Sequence, residues 1–119
     1  MDYSRKNAKY SRKNVNGVYI DRECITLWRE GCNFFEVQIA FTPDGYRGTL
    51  NFWYKTRGSM SPIMDMDVPY NSKKQCIYNT IREEYKRYNN DYYIKNEPKM
   101  IEILRRLMEQ YKCEQLELF

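Results

Sequence analysis

The stretch Phe34-Phe35-Glu36-Val37-Gln38-Ile39-Ala40-Phe41 alternates strictly, and the four residues after it, Thr42-Pro43-Asp44-Gly45, cannot prolong it. Phe35, Val37, Ile39 and Phe41 fall on one side and Phe34, Glu36, Gln38 and Ala40 on the other, which is the period of a half-buried β-strand. Pro43 fixes φ and Gly45 accepts a positive φ, so the chain turns back on itself there. The returning arm places Gly48, Leu50, Phe52 and Tyr54 against Arg47, Thr49, Asn51, Trp53 and Lys55. Upstream, residues 23–29 put Ile25 and Leu27 on one face and Cys24, Thr26 and Trp28 on the other, with Gly31-Cys32-Asn33 as the connecting turn. Downstream, Arg57-Gly58-Ser59 reads as the last turn. A fourth strand is expected over 60–68, with Met60, Pro62, Met64, Met66 and Val68 inward and Ser61, Ile63, Asp65 and Asp67 outward. Pro62 makes it an edge strand or a bulged one. Val18-Tyr19-Ile20 is a candidate short strand ahead of the meander.

After Tyr70 the period becomes helical. Ser72-Lys73-Lys74-Gln75 has the form of a capping box, and Ile77, Ile81, Tyr85 and Tyr88 then share one side of a helix that ends at Asn89-Asn90-Asp91. Asn96-Glu97-Pro98 opens a second helix bearing Met100, Ile101, Ile103, Leu104, Leu107, Met108 and Tyr111. A half-apolar sheet and two amphipathic helices bury one another most economically as two layers, with both helices on one sheet face. The expected class is α+β: a four-stranded antiparallel meander, two C-terminal helices packed on one face, and a basic N-terminal arm.

The chain has 119 residues, 42% apolar and 30% charged, with a mean hydropathy of −0.87, which suits a single domain. No stretch approaches the roughly 20 apolar residues that a bilayer helix requires. No apolar run follows Met1, so a cytoplasmic protein is the expectation. The absence of histidine removes Ser-His and Cys-His couples, paired-His zinc motifs and any imidazole base. No catalytic residue, metal or cofactor is therefore expected. Cys24, Cys32, Cys76 and Cys113 lack metal-ligand spacing and read as reduced, mostly buried thiols. Twelve tyrosines beside alanine only at Ala8 and Ala40 are what AT-rich codons produce, as in a low-GC bacterium, a phage or another mobile element.

Charge is concentrated at one end. Residues 1–15 hold Arg5, Lys6, Lys9, Arg12 and Lys13 against Asp2 alone and so carry the entire formal charge of +4. Tyr3-Ser4-Arg5-Lys6-Asn7 recurs as Tyr10-Ser11-Arg12-Lys13-Asn14. The chain divides accordingly into an arm (1–16), one folded domain (17–112) and a tail (113–119). A sparsely apolar arm is expected to be disordered when free. Its basic and tyrosine residues, Arg5, Lys6, Arg12 and Lys13 foremost, suit a phosphate backbone with unstacked bases, and equally a plain solubilising leader. The outward sheet face shows Phe34, Arg47, Trp53 and Lys55 with Gln38 and Asn51. That set either stacks bases of DNA or single-stranded nucleic acid or lies under the arm, a helix or another subunit. Asp65 and Asp67 with Glu36 could hold Mg²⁺ for a nuclease if the three converge; otherwise they form a charged edge.

The last five residues, Gln115-Leu116-Glu117-Leu118-Phe119, resemble the peptide by which bacterial polymerases and repair proteins dock on the DNA sliding clamp, the polymerase III β subunit. The resemblance implies that Gln115 hydrogen-bonds at the mouth of a groove, that Leu116, Leu118 and Phe119 fill its pockets, and that Glu117 faces solvent. It covers the tail alone. The expected function is thus a DNA-transaction accessory protein that reaches the clamp through its tail and nucleic acid through its arm or sheet. The alternatives are an inhibitor or interaction module whose tail is structural, and a Mg²⁺-dependent nuclease.

Overall fold

The computed structural model describes residues 10–116, with side chains through residue 112. Strands β1 (Glu23–Glu30), β2 (Asn33–Thr42), β3 (Gly45–Tyr54) and β4 (Arg57–Ser59) form one antiparallel sheet in chain order, followed by α1 (Lys73–Tyr88), α2 (Asp91–Asn96) and α3 (Pro98–Leu116). The class is the α+β expected. Phe35, Val37 and Ile39 of β2 and Leu50, Phe52 and Tyr54 of β3 are buried in one cluster with Cys76, Ile77 and Ile81 of α1 and Met100, Ile101, Leu104 and Leu107 of α3. The alternation of the central hairpin thus defines the core side, and burial of its large apolar groups supplies most of the driving force.

Helix α1 starts where the sequence places it. The Ser72 hydroxyl oxygen accepts the Gln75 N–H at 3.1 Å, and the Gln75 side chain accepts the Asn71 N–H at 3.1 Å, a capping box displaced by one residue. The helix lies close on β3 because residue 48 is glycine: a Cβ there would stand 2.8 Å from Cys76 Sγ and 3.1 Å from Thr80 Oγ1. Between α1 and α3 the chain makes the unexpected helix α2. The Asn90 side chain accepts the Tyr93 N–H at 3.2 Å, so a residue read as a helix stop also starts a helix.

Three expectations are corrected. In β1 the register passes from Thr26↔Glu36 to Trp28↔Phe35, leaving Leu27 as a bulge. Trp28 therefore turns to the core side, its ring centroid 5.8 Å from that of Phe35 and 6.3 Å from that of Tyr54. The last hairpin turns at Lys55-Thr56, and Arg57-Gly58-Ser59 is itself the fourth strand. Lys55 holds φ at 58°, with its N–H donated to Asn33 Oδ1 at 2.9 Å.

The third correction concerns residues 60–68, which are not a strand and face the opposite way to that expected. Ile63 is buried, whereas Met60, Met66 and Val68 are 73%, 81% and 62% exposed. The ladder stops because Asn51 Oδ1 takes the Ser61 N–H at 3.0 Å and Pro62 has no N–H to offer. The segment then crosses the outer sheet face, where Ile63, Tyr19 and Ala40 form a second small core. Val18-Tyr19-Ile20 contributes single bridges to this layer in place of a strand, including the Tyr19 N–H to the Ile63 carbonyl at 2.9 Å. Of the described cysteines only Cys76 is buried, its thiol pushed up to about 11 by burial, while Cys24 and Cys32 are exposed.

Candidate nucleic-acid interface

Strand register brings together residues that are far apart in the chain. Arg29 pairs with Phe34, Phe34 with Trp53, and Trp53 with Gly58, so one row crosses all four strands on the face away from the helices. The Arg29 guanidinium lies 5.3 Å from the centroid of the Phe34 ring, a cation–π contact. Trp53 is 43% exposed and its ring rests on Gly58, where a Cβ would meet Trp53 Cε3 at 2.6 Å. Glycine at 58 is thus the seat that lets the indole lie along the sheet. The layer formed by Tyr19 and Ile63 covers Ala40 and its surroundings at the other end of this face. The row Arg29-Phe34-Trp53 stays outside that cover: a cation and two rings on a rigid ladder.

Lys55 stands in the turn beside the row. Its Nζ lies 3.4 Å from Glu97 Oε1 and 5.5 Å from the centroid of the Tyr54 ring. Glu97, nearly buried, also takes Arg57 at 3.5 Å, and the two cations share one carboxylate. Arg57 in turn lies 5.1 Å over Tyr93.

The remaining expected contacts do not join the row. Arg47 is buried and its donors are used internally, Nη1 to Thr42 Oγ1 at 2.5 Å and Nε to the Asp67 carbonyl at 2.9 Å. Arg12 makes a forked pair with Asp21 through Nε at 2.8 Å and Nη2 at 3.0 Å, and hydrogen bonding from Arg12 holds the Asp21 carboxyl down to about 2. Lys13 Nζ reaches Asp65 Oδ2 at 2.5 Å while the Tyr19 hydroxyl donates to Oδ1 at 2.6 Å; the lysine first, then the tyrosine, lower the Asp65 carboxyl. Arg5 and Lys6 lie outside the described residues.

Asp65, Asp67 and Glu36 do not converge. Asp65 is engaged by Lys13 and Tyr19, Asp67 Oδ2 accepts the Met64 N–H at 2.7 Å, and Glu36 accepts from the Gln38 amide at 3.1 Å. Among the described residues no three carboxylates or thiols are grouped as metal ligands, and no helix is long and apolar enough to cross a membrane.

Of the tail, the backbone of α3 continues through Gln115 to Leu116, and Leu118 and Phe119 lie outside the described residues. Sequence reasoning missed Arg29, whose place beside Phe34 follows only from the register after the Leu27 bulge. Gly58 was read as turn punctuation, although a glycine opposite an exposed tryptophan is itself a signal of ring-on-backbone packing. No protein-family model matches the chain, and no curated protein or solved structure is significantly similar to it.

Proposed function

We propose that this chain is a small DNA-transaction accessory protein, encoded by a phage or another mobile element, that docks on the bacterial sliding clamp and holds single-stranded nucleic acid. The observation that carries the nucleic-acid half is the row Arg29-Phe34-Trp53, an exposed indole beside a half-buried phenyl ring with a guanidinium over it, in one line across the sheet. Stacking on the exposed Trp53 ring is indifferent to base identity and contributes about 1–3 kcal/mol per base, while Arg29 supplies charge for the phosphates. The docking half rests on the match of Gln115, Leu116, Leu118 and Phe119 to the clamp peptide. Two weak contacts in one chain reinforce each other through local concentration.

Titration with single-stranded oligonucleotides tests the first half. Trp53 emission should be quenched while that of the inward-facing Trp28 is not, and affinity should fall as salt rises. An oligonucleotide that leaves Trp53 emission unchanged defeats the reading. Co-elution with a bacterial clamp tests the second half and should be lost in Leu116→Ala and in Phe119→Ala. One observation favours a structural tail instead, namely that α3 remains helical through Leu116. Deletion of 115–119 separates the two: clamp docking predicts an unchanged melting temperature, a structural tail a large drop.

A further inference from the structure

The chain carries Tyr-Ser-Arg-Lys-Asn twice, at 3–7 and at 10–14, and the second copy has a contact for every side chain. The Tyr10 ring packs on Phe41 with centroids 5.1 Å apart. The Ser11 N–H donates to the Phe41 carbonyl at 2.8 Å and its hydroxyl oxygen accepts the Phe41 N–H at 3.1 Å, just past the point where β1 stops covering β2. Arg12 forks onto Asp21 and its carbonyl accepts the Ile20 N–H at 2.8 Å. Lys13 meets Asp65, and Asn14 Oδ1 accepts the N–H groups of Asn16 at 2.8 Å and Val18 at 3.0 Å.

We propose that the slot along Phe41, Ile20, Asp21 and Asp65 is a peptide-binding site with two ligands in the same chain, and that residues 3–7 occupy it when 10–14 leave. The four side chains the slot engages, those of Tyr10, Ser11, Arg12 and Lys13, recur in the first copy as Tyr3, Ser4, Arg5 and Lys6, in the same order and spacing, while Asn14 closes the turn that follows. Exchange shifts the register by seven residues, which lengthens the loop before Val18 from residues 15–17 to residues 8–17. Loop-closure entropy makes that a penalty of roughly sixfold in population. The turn that joins Asn14, Gly17 and Val18 adds to the preference for the resident copy. A tethered copy still outcompetes the same peptide on another molecule, because its effective concentration is high. The consequence is that an anionic partner can take one Arg-Lys pair without emptying the slot. This assignment is independent of the nucleic-acid reading above.

Native-state amide exchange on the full chain tests it, read at Phe41 and Ile20, whose N–H groups point at the docked peptide. Ser11→Ala/Arg12→Ala should lose no more than about tenfold in protection and Ser4→Ala/Arg5→Ala none, whereas the fourfold variant should lose roughly a further tenfold or more. The proposal is overturned if the first pair alone already falls as far as the fourfold variant, or if the fourfold variant stays protected. Protection of the Ser11→Ala/Arg12→Ala chain that rises with protein concentration would overturn it as well, in favour of exchange between two molecules.

Discussion

Trp53 and Trp28 show what a single side chain's surroundings decide. Alternation alone sets Trp28 on the side opposite Ile25 and Leu27; the bulge at Leu27 turns it into the core, while Trp53 stays 43% exposed on Gly58. Trp53→Ala should therefore cost little stability, within about 1 kcal/mol by denaturant titration, yet weaken single-strand binding by about 1–3 kcal/mol. Glu84 is a second case. It is buried with Oε2 lacking a hydrogen-bond partner, and burial raises its carboxyl against a smaller lowering effect from Arg87. A raised carboxyl favours the fold while protonated, and that contribution is lost as pH rises through the folded value. Glu84→Gln should thus melt higher than the parent at pH 7, with the gap closing towards pH 4; a lower melting temperature at pH 7 would contradict it. Asp21 has the opposite sign. Its lowered carboxyl favours the Arg12 contact above the unfolded value, and the benefit disappears as pH falls through about 2. Neither carboxylate was legible in the sequence, because burial and partner are properties of packing.

At the scale of elements, the hairpin of β2 and β3 was readable in full, since its alternation and its Pro43-Asp44 turn are local signals that the packing only reinforces. The expected strand over 60–68 failed because its alternation, Met60 through Val68, was real but unpaired: once Asn51 captures the Ser61 N–H, Ile63 and not the methionines finds apolar cover. The close approach of α1 to β3 leads to another expectation. Gly48→Val should destabilise the fold by about 1–3 kcal/mol in urea titration, because its Cβ and methyls must displace Cys76 and Thr80 from the helix–sheet contact. A neutral result would mean that α1 is free to lift.

For the whole molecule, the consequential feature is the thin outer layer formed by the N-terminal segment and residues 60–70. It covers Ala40 and Arg47 and leaves the row Arg29-Phe34-Trp53 open, so the candidate interface is what remains of a face the sequence read as one surface. Removing 1–16 should strip Phe41, Asp21 and Asp65 of their contacts with Tyr10, Ser11, Arg12 and Lys13 and lower the melting temperature, whereas removing 1–9 leaves the Arg12–Asp21 and Lys13–Asp65 pairs in place. Scanning calorimetry of the two truncations distinguishes a structural segment from a mere leader. The class, the central hairpin and both long helices were written in the sequence, because periodicity and capping act over a few neighbouring residues. Which face Trp28 occupies, that Arg47 is withdrawn, that Arg29 joins the aromatic row and that Asp65 answers Lys13 were decided only in three dimensions. Each depends on strand register or on a contact between distant segments, and no local pattern encodes where such segments meet.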